Sequence, residues 1–595
     1  MLRSSVFFKV HQFISNFLNS HPEVSSKLND LLLRAGIHIP ADVYVSNAVI
    51  SSMLTFLGSM ALSILLLTLM NLPPSFTILF IFPVPVITFL FFLFVIPLVK
   101  ASSIRSRLDV ELPFFTAFLS MVVASGVSIA RGIHYVVKRP IFAETSRFLR
   151  QIYIRFMFYG RSVFDAITEV CRFIPHERLR AILSGYVTTV LTGGDVVHYM
   201  DLVTRDVINY RSATVRSTVS FVINFITGLT VGVLMIIVML EIVAYLPVLG
   251  VGIQVLSPEE LDVVFMLLMF SPLLFIVFGA TTRGIYSGSM KYRGRHFVYV
   301  AALFGIGCLC GLALYHLLPS EVAIQLGSVS SVVKKDLSVL VMLVILCGCL
   351  AAGAWYDRIY RERISLERGF VRFLVDLAEA RKTGLSVERC FELLAERDYG
   401  AFTKILRDAA RQLRLGVWIG RIVDMVVSRS TSTLVDTYMR LLMSSIEFGG
   451  GHVKSLESLA TFATTMMGIE DEARRSAKQI LIIALMAVVT LLITVIFMNI
   501  LSVGTIQFVS SPVAAGAGGY TFSVSKEHLA MLSELNSRII LFVILCSIAL
   551  GFLAGRVCYG DVLQSFRAIA LLSAVSLVLY VFSPVVQSIV LGIGG

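Results

Sequence analysis

Nine runs of mostly apolar residues, each near the length a helix needs to cross a lipid bilayer, constrain this chain more than any motif does. The hydrocarbon layer is about 30 Å thick and offers backbone amides no water, so a crossing segment must bond to itself as a helix of about 20 residues. Hydropathy predicts spans near 47–70, 76–99, 220–245, 261–280, 297–318, 337–356, 480–501, 539–555 and 568–589. With 57% hydrophobic and 15% charged residues over 595 positions, ordinary soluble usage is left far behind, and the mean hydropathy is +0.86. Gly305, Gly307 and Gly311 lower helix propensity in the fifth span, while small residues of this kind favour close helix packing. Pro83, Pro85, Pro97 and Pro272 read as kinks. Glu241 and Asp262 fall toward span ends, where water or headgroups can reach them, which gives little support to an ion relay.

Two long polar intervals interrupt the spans, at 100–219 and 357–479, and both are rich in Arg. Arg283, Lys291, Arg293 and Arg295 fill one short connection, and Arg556 and Arg567 flank another, whereas 71–75 and 246–260 carry no Lys or Arg. Lys334, Lys335 and Lys526 run against this bias. On balance the positive-inside rule places the N-terminus and both polar intervals in the cytoplasm and the C-terminus outside. The expected fold class is all-α: a polytopic membrane protein of about nine transmembrane helices, N-terminus in, with two cytoplasmic helical bundles. The expected organisation is an amphipathic cytoplasmic arm at 1–46, a transmembrane hairpin at 47–99, a first cytoplasmic domain at 100–219, four spans within 220–356, a second cytoplasmic domain at 357–479 and three spans within 480–595.

The arm carries Phe7, Val10, Ile14, Phe17 and Leu18 at helical spacing, as an interfacial helix would. A second short helix runs through Leu28, Leu31 and Leu32 and ends at Ala35-Gly36-Ile37 and Pro40. No short apolar core followed by a small-residue cleavage site precedes the first span, so no signal peptide is expected.

The net charge of +12 invites a nucleic-acid reading. The basic residues stand where membrane insertion wants them, however, and the polar intervals mix them with acids such as Glu388, Glu392 and Glu396, so no nucleic-acid partner is expected. Eight cysteines include Cys308, Cys310, Cys347 and Cys349 in two C-x-C pairs within spans. Residues two apart point to different helix faces, so these read as small packing residues rather than as a metal clamp or a disulfide.

An internal repeat organises the polar intervals. Ser125-Gly126-Val127-Ser128-Ile129-Ala130-Arg131 matches Thr383-Gly384-Leu385-Ser386-Val387-Glu388-Arg389. Tyr159-Gly160-Arg161 aligns with Leu415-Gly416-Val417, Gly193-Gly194 with Gly449-Gly450, and Asp201 with Glu457. Ser128 and Ser386 are expected at helix N-caps, where a hydroxyl can accept an orphan amide, and Gly126 and Gly384 supply the positive φ of a helix stop. The second copy predicts helices near 364–382, 386–397, 401–415, 417–427, 433–448 and 452–468. Phe370, Phe373, Leu374 and Leu377 form the buried face of the first, and Arg368, Arg372, Glu379 and Arg381 its wet face.

Catalytic motifs fail one by one. In Gly449-Gly450-Gly451-His452-Val453-Lys454-Ser455, Val453 stands where a phosphate loop requires Gly. His176-Glu177 begins like a zinc-protease helix, but Arg180 occupies the place of the second histidine. Gly193-Gly194-Asp195 has no partner Asp in a span. No enzyme activity, metal or cofactor is expected.

The paired Arg-rich bundles, the Ser-Gly-Val-Ser and Thr-Gly-Leu-Ser turns, Gly160 and Gly416, the two Gly-Gly pairs and Leu33-Arg34-Ala35-Gly36-Ile37 before the first span together resemble the type II secretion F superfamily. These are the polytopic platform proteins of type IV pilus-like machines. The many spans are most like the archaeal branch that serves archaella and adhesive pili. The resemblance implies a platform in the cell membrane built on two six-helix domains. It would work with a separate hexameric ATPase, pilin or archaellin subunits and membrane lipids, with a homodimer open. Arg131, Lys138, Arg389 and Arg397 are the candidate ATPase-docking charges, and the repeated glycines are expected to be structural. The competing expectation is a transporter or channel with two regulatory cytoplasmic domains.

Overall fold

Backbone groups in lipid bond within their own helix, and the described part of the chain is accordingly helical apart from one hairpin. A computed structural model describes residues 12, 14–16, 20, 22–34, 40–70, 96–245, 268, 270–281, 294–317, 321–326, 329–334, 337–449, 452–510, 526–560 and 562–590. Packing divides the chain into two units, Met1–Ile208 and Asn209–Gly595.

The first unit contains α1 (Pro22–Arg34), α2 (Ala41–Met70), α3 (Ile96–Ala124), α4 (Ile129–Lys138), α5 (Thr145–Phe158), α6 (Val163–Cys171), α7 (Glu177–Leu191) and the start of α8 (Val196–Tyr245). Leu28 and Leu32 of α1 pack on Ala41 at the start of α2, and Asn29 Oδ1 accepts the Ala41 amide at 3.0 Å. Helices α3 to α7 close over a core that includes Phe115, Phe118, Ile152, Ile167 and Val170, with Phe142 edge-on to Phe115 at 5.9 Å. Of the expected arm helix only Gln12 and 14–16 are described, the rest lying outside the described residues together with most of the expected span at 76–99.

The second unit takes the rest of α8, then α9 (Phe270–Thr281), α10 (Gly294–Leu317), strands β1 (Glu321–Leu326) and β2 (Val329–Lys334), α11 (Leu337–Lys382), α12 (Val387–Leu394), α13 (Phe402–Arg414), α14 (Ile419–Arg429), α15 (Thr433–Gly449), α16 (Val453–Ser510), α17 (Lys526–Tyr559) and α18 (Ser565–Val590). Six described helices are long and apolar enough to cross a membrane: α8, α10, α11, α16, α17 and α18. The chain is an all-α polytopic membrane protein. Of the expected span at 261–280, Leu268 and α9 are described.

The hairpin was not expected. Its strands pair antiparallel from Glu321↔Lys334 to Leu326↔Val329. The β-branched residues Val322, Ile324, Val329, Val332 and Val333 favour such pairing, a signal that lies in what hydropathy alone reads as a simple connection.

The larger correction concerns helix ends. The expected span at 337–356 and the expected bundle helix at 364–382 are one helix of 46 residues, and 452–468 and 480–501 are parts of another of 58. No Gly or Pro lies between Asp357 and Arg368, and Asp357 pairs with Arg361 one turn on at 2.6 Å. A change of polarity marks where a helix leaves lipid; only a stop residue marks where it ends. At 1.5 Å per residue these helices reach roughly 70 Å and roughly 85 Å.

Close approach in the membrane part uses the glycines. A Cβ on Gly307 would stand 2.6 Å from the Cys347 carbonyl oxygen and one on Gly311 2.7 Å from Val344 Cα, so α10 and α11 touch backbone to backbone. Gly551 does the same for α17 and α18, where a Cβ would meet Ile569 Cα at 2.7 Å.

Candidate functional site

Helices α11 and α16 lie antiparallel and form a strut that leaves the apolar region and returns to it. Lys382 pairs with Glu457 at 2.9 Å at the far end, Arg368 with Asp471 at 2.8 Å farther in, and Arg474 with Glu367 at 3.1 Å at the root. Between them sits an aromatic core: Phe373 against Phe391 at 4.9 Å, Phe370 against Phe402 at 5.1 Å, and Tyr438 against Phe462 at 6.2 Å. Gly369 lets the Tyr399 carbonyl press against α11 where any Cβ would collide with it.

The root holds the chemistry. Glu367 is fully buried, at 0% exposure, and accepts hydrogen bonds from Arg363 Nε at 2.8 Å, Ser432 Oγ at 2.6 Å and Arg474 Nη2 at 3.1 Å. Arg363 is its i−4 neighbour on α11, Ser432 precedes α15, and Arg474 lies on α16, so one carboxylate ties three elements together. Burial presses the Glu367 carboxyl toward the neutral form, but Arg363, the Ser432 hydroxyl and Arg474 outweigh it and hold its pKa below the ordinary carboxylate value.

Glu470, one turn before Arg474, is 2% exposed and behaves oppositely. Neither of its carboxylate oxygens accepts a hydrogen bond, and Arg474 Nη2 stands 3.5 Å off. Burial and the adjacent Glu367 charge push its pKa up to about 7, against the pull of Arg474, Arg363 and Arg211. Arg211 on α8 is itself buried, and farther along that helix Arg216 pairs with Glu472 at 2.8 Å. Burial and then the two carboxylates raise the Tyr438 phenol. At the edge of the apolar region Arg567 of α18 and Gln564 just before it bond Asp357 of α11 at 2.6 and 3.4 Å. Among the described residues no group of three or more His, Cys, Asp or Glu could hold a metal ion.

The first unit has its own polar root. His176 caps α7, with Nδ1 accepting the Leu179 amide at 3.1 Å and Nε2 at 2.7 Å from Asp109 of α3. Glu111 caps α5 from a distance, accepting the amides of Ala143, Glu144 and Thr145 at 2.9, 3.0 and 2.8 Å. The histidine weighed against a zinc motif is thus a helix cap.

Gly126, Gly160, Gly193, Gly384 and Gly416 adopt φ of +68°, +63°, +73°, +83° and +77° at the turns of the repeat. A Cβ on Gly194 would meet Thr189 Cγ2 at 3.1 Å, Gly449 ends α15, and Gly450 lies outside the described residues. Ser128 and Ser386 both occupy N-caps, but only the Ser386 side chain accepts an amide, that of Arg389; the Ser128 hydroxyl makes no capping bond. Arg131, Lys138, Arg389 and Arg397 are exposed, and the last two pair with Glu392 at 2.6 Å and Asp376 at 2.9 Å. The repeat brings none of the four to the root.

Sequence reasoning missed Glu367, Glu470 and Arg474. The signal was a carboxylate on an apolar stripe: Glu367 falls between Leu366 and Phe370, and Glu470 between Met466 and Ala473, all buried. It also missed the exposed apolar residues beside the repeated turn, Phe158 at 78% and Tyr159 in one copy, Leu415 at 81% and Trp418 in the other.

Residues 373–500 match the family model described as Type II secretion system (T2SS), protein F. The match begins in α11, covers α12 to α15 and runs through the apolar part of α16. No curated protein and no solved structure shows significant similarity to the chain.

Proposed function

We propose that this chain is the membrane platform of a filament-assembly machine of the type II secretion and type IV pilus kind. The observation that carries the proposal is the match over 373–500, which takes in both the second bundle and the membrane segment that continues it. The unbroken α11 and α16 support it, because a load on the bundle passes into the apolar region without crossing a loop. A separate cytoplasmic hexameric ATPase supplies the energy, the bundles take up its movement, and the strut passes it to pilin- or archaellin-like subunits lying in the cell membrane. The spans between and after the bundles favour the archaellum or archaeal pilus among such machines. Arg131 and Lys138 of the first unit, both exposed, offer the ATPase its docking charges.

The full chain, solubilised from its own membranes, is expected to copurify with a Walker-motif ATPase, and Arg131→Glu with Lys138→Glu to weaken that association about tenfold or more, as loss of a steering charge pair would. Recovery without such an ATPase, together with solute flux through the purified chain in liposomes, would replace the platform by a transporter.

A further inference from the structure

Arg474 serves carboxylates on two different helices. Its Nη2 is 3.1 Å from Glu367 on α11 and 3.5 Å from Glu470 on its own helix, and the same side chain reaches Asp471 at 3.4 Å through Nη1. Glu367 already has Arg363 and Ser432. Glu470 has no hydrogen bond to either oxygen and next to no exposure to water, so a negative charge there is held by Coulomb attraction alone.

We propose that Glu470 is a buried proton-binding site whose occupancy sets how firmly α16 is fastened to α11. With the proton bound, Glu470 makes no claim on Arg474, which stays with Glu367 across the strut. With the proton lost, two buried carboxylates compete for one guanidinium, and Arg474 is drawn back one turn along α16. The groups facing Glu470 are Arg363 and Glu367 from α11, Tyr438 from α15, Arg474 from α16 and Arg211 from α8, while Asp471 of α16 and Tyr360 of α11 interact with Arg474. Three arginines thus surround two buried carboxyls, Glu367 and Glu470, and the charge on Glu470 decides which of them Arg474 serves.

The sign follows from linkage. A carboxyl whose pKa lies near 7 in the folded chain, above the ordinary carboxylate value when unfolded, binds its proton more tightly in the native state. The fastening is therefore strongest below about pH 7 as long as Glu367 stays ionised, and it is lost as pH rises through about 7. The joint would operate in any machine that moves these helices, so its test is independent of filament assembly.

The full chain in lipid nanodiscs, titrated by infrared difference spectroscopy, is expected to show a protonated-carboxyl band that halves near pH 7 and is missing in Glu470→Gln. Hydrogen-exchange protection across 466–477, corrected for intrinsic rates, should fall about tenfold between about pH 6 and about pH 8.5 in the natural chain and stay level in Glu470→Gln. Glu367→Gln, which removes the competing charge, should move the midpoint down by about one unit, and it keeps the test alive if the Glu470→Gln variant misfolds. A band that persists in Glu470→Gln, a midpoint below about pH 5, an unmoved midpoint in Glu367→Gln, or protection that ignores pH would each overturn the proposal.

Discussion

Ser432 donates a hydrogen bond to Glu367 at 2.6 Å across 65 residues, and it does so from the residue that opens α15. In the first unit the residue that opens α7, His176, meets Asp109 at 2.7 Å across 67 residues. Each is an acid of the first long helix bonded to the N-cap of the fifth. The two pairs occupy corresponding places in the repeat, although neither the acids nor their partners are the same residue type. The contact fixes the entry of a late helix against the first one, and that need survives where residue identity does not.

Ser432→Ala removes both the charge-assisted bond to Glu367 and the side-chain oxygen that accepts the Leu434 amide at 3.2 Å. A loss of about 2–3 kcal/mol is expected. Limited proteolysis of the full chain in detergent should cut within 357–479 well before it does in the natural chain, and unchanged proteolysis would show that the contact bears no load.

The N-cap serines separate the two copies. Ser386→Ala should cost about 1 kcal/mol because its hydroxyl accepts the Arg389 amide at 3.3 Å, while Ser128→Ala should cost almost nothing because its hydroxyl makes no such bond. Thermal unfolding of the paired variants checks this, and equal effects would contradict it.

Gly307→Val drives a side chain into the Cys347 backbone and is expected to abolish stable insertion, whereas Gly305→Ala, with nothing within 4 Å, should be tolerated. The yield of monodisperse protein after solubilisation is the measurement.

Lys478→Pro interrupts α16 at an exposed position just before its apolar run, at about 3 kcal/mol of local helix stability. If the chain is the proposed platform, the bundle should keep its association with the ATPase while filament assembly falls to background, because a break in α16 would stop movement from reaching the membrane. Normal filaments on cells carrying this variant would refute transmission through α16.

Glu367 produces a pH limb opposite to that of Glu470. Its folded pKa lies below the unfolded value, so its stabilisation is complete above the ordinary carboxylate range and is lost as pH falls through the folded value. Glu367→Gln should therefore lower stability at neutral pH and flatten the acid limb in a melting series from about pH 7 to about pH 3, with most of the difference gone at the acid end.

Much was legible in the residues alone. Apolar runs located the six described helices that are long and apolar enough to cross a membrane, since lipid leaves a backbone no alternative. The spacing of Phe370, Phe373, Leu374 and Leu377 marked the inner face of α11, where all four are buried. Gly126 and Gly384 signalled left-handed turns, which both adopt. Helix continuity through 357–363 was hidden because hydropathy reports the surrounding solvent, whereas continuity depends on the absence of a stop.

The sequence by itself determined the all-α class, the apolar helices and the inner faces of the bundle helices, because propensity, periodicity and transfer free energy act locally. Only the tertiary structure decided that Glu367, Ser432, Glu470 and Arg474 share one buried site, from positions spread across 107 residues between Glu367 and Arg474. A charge on an apolar stripe is costly until partners from other helices arrive, and no local pattern names those partners.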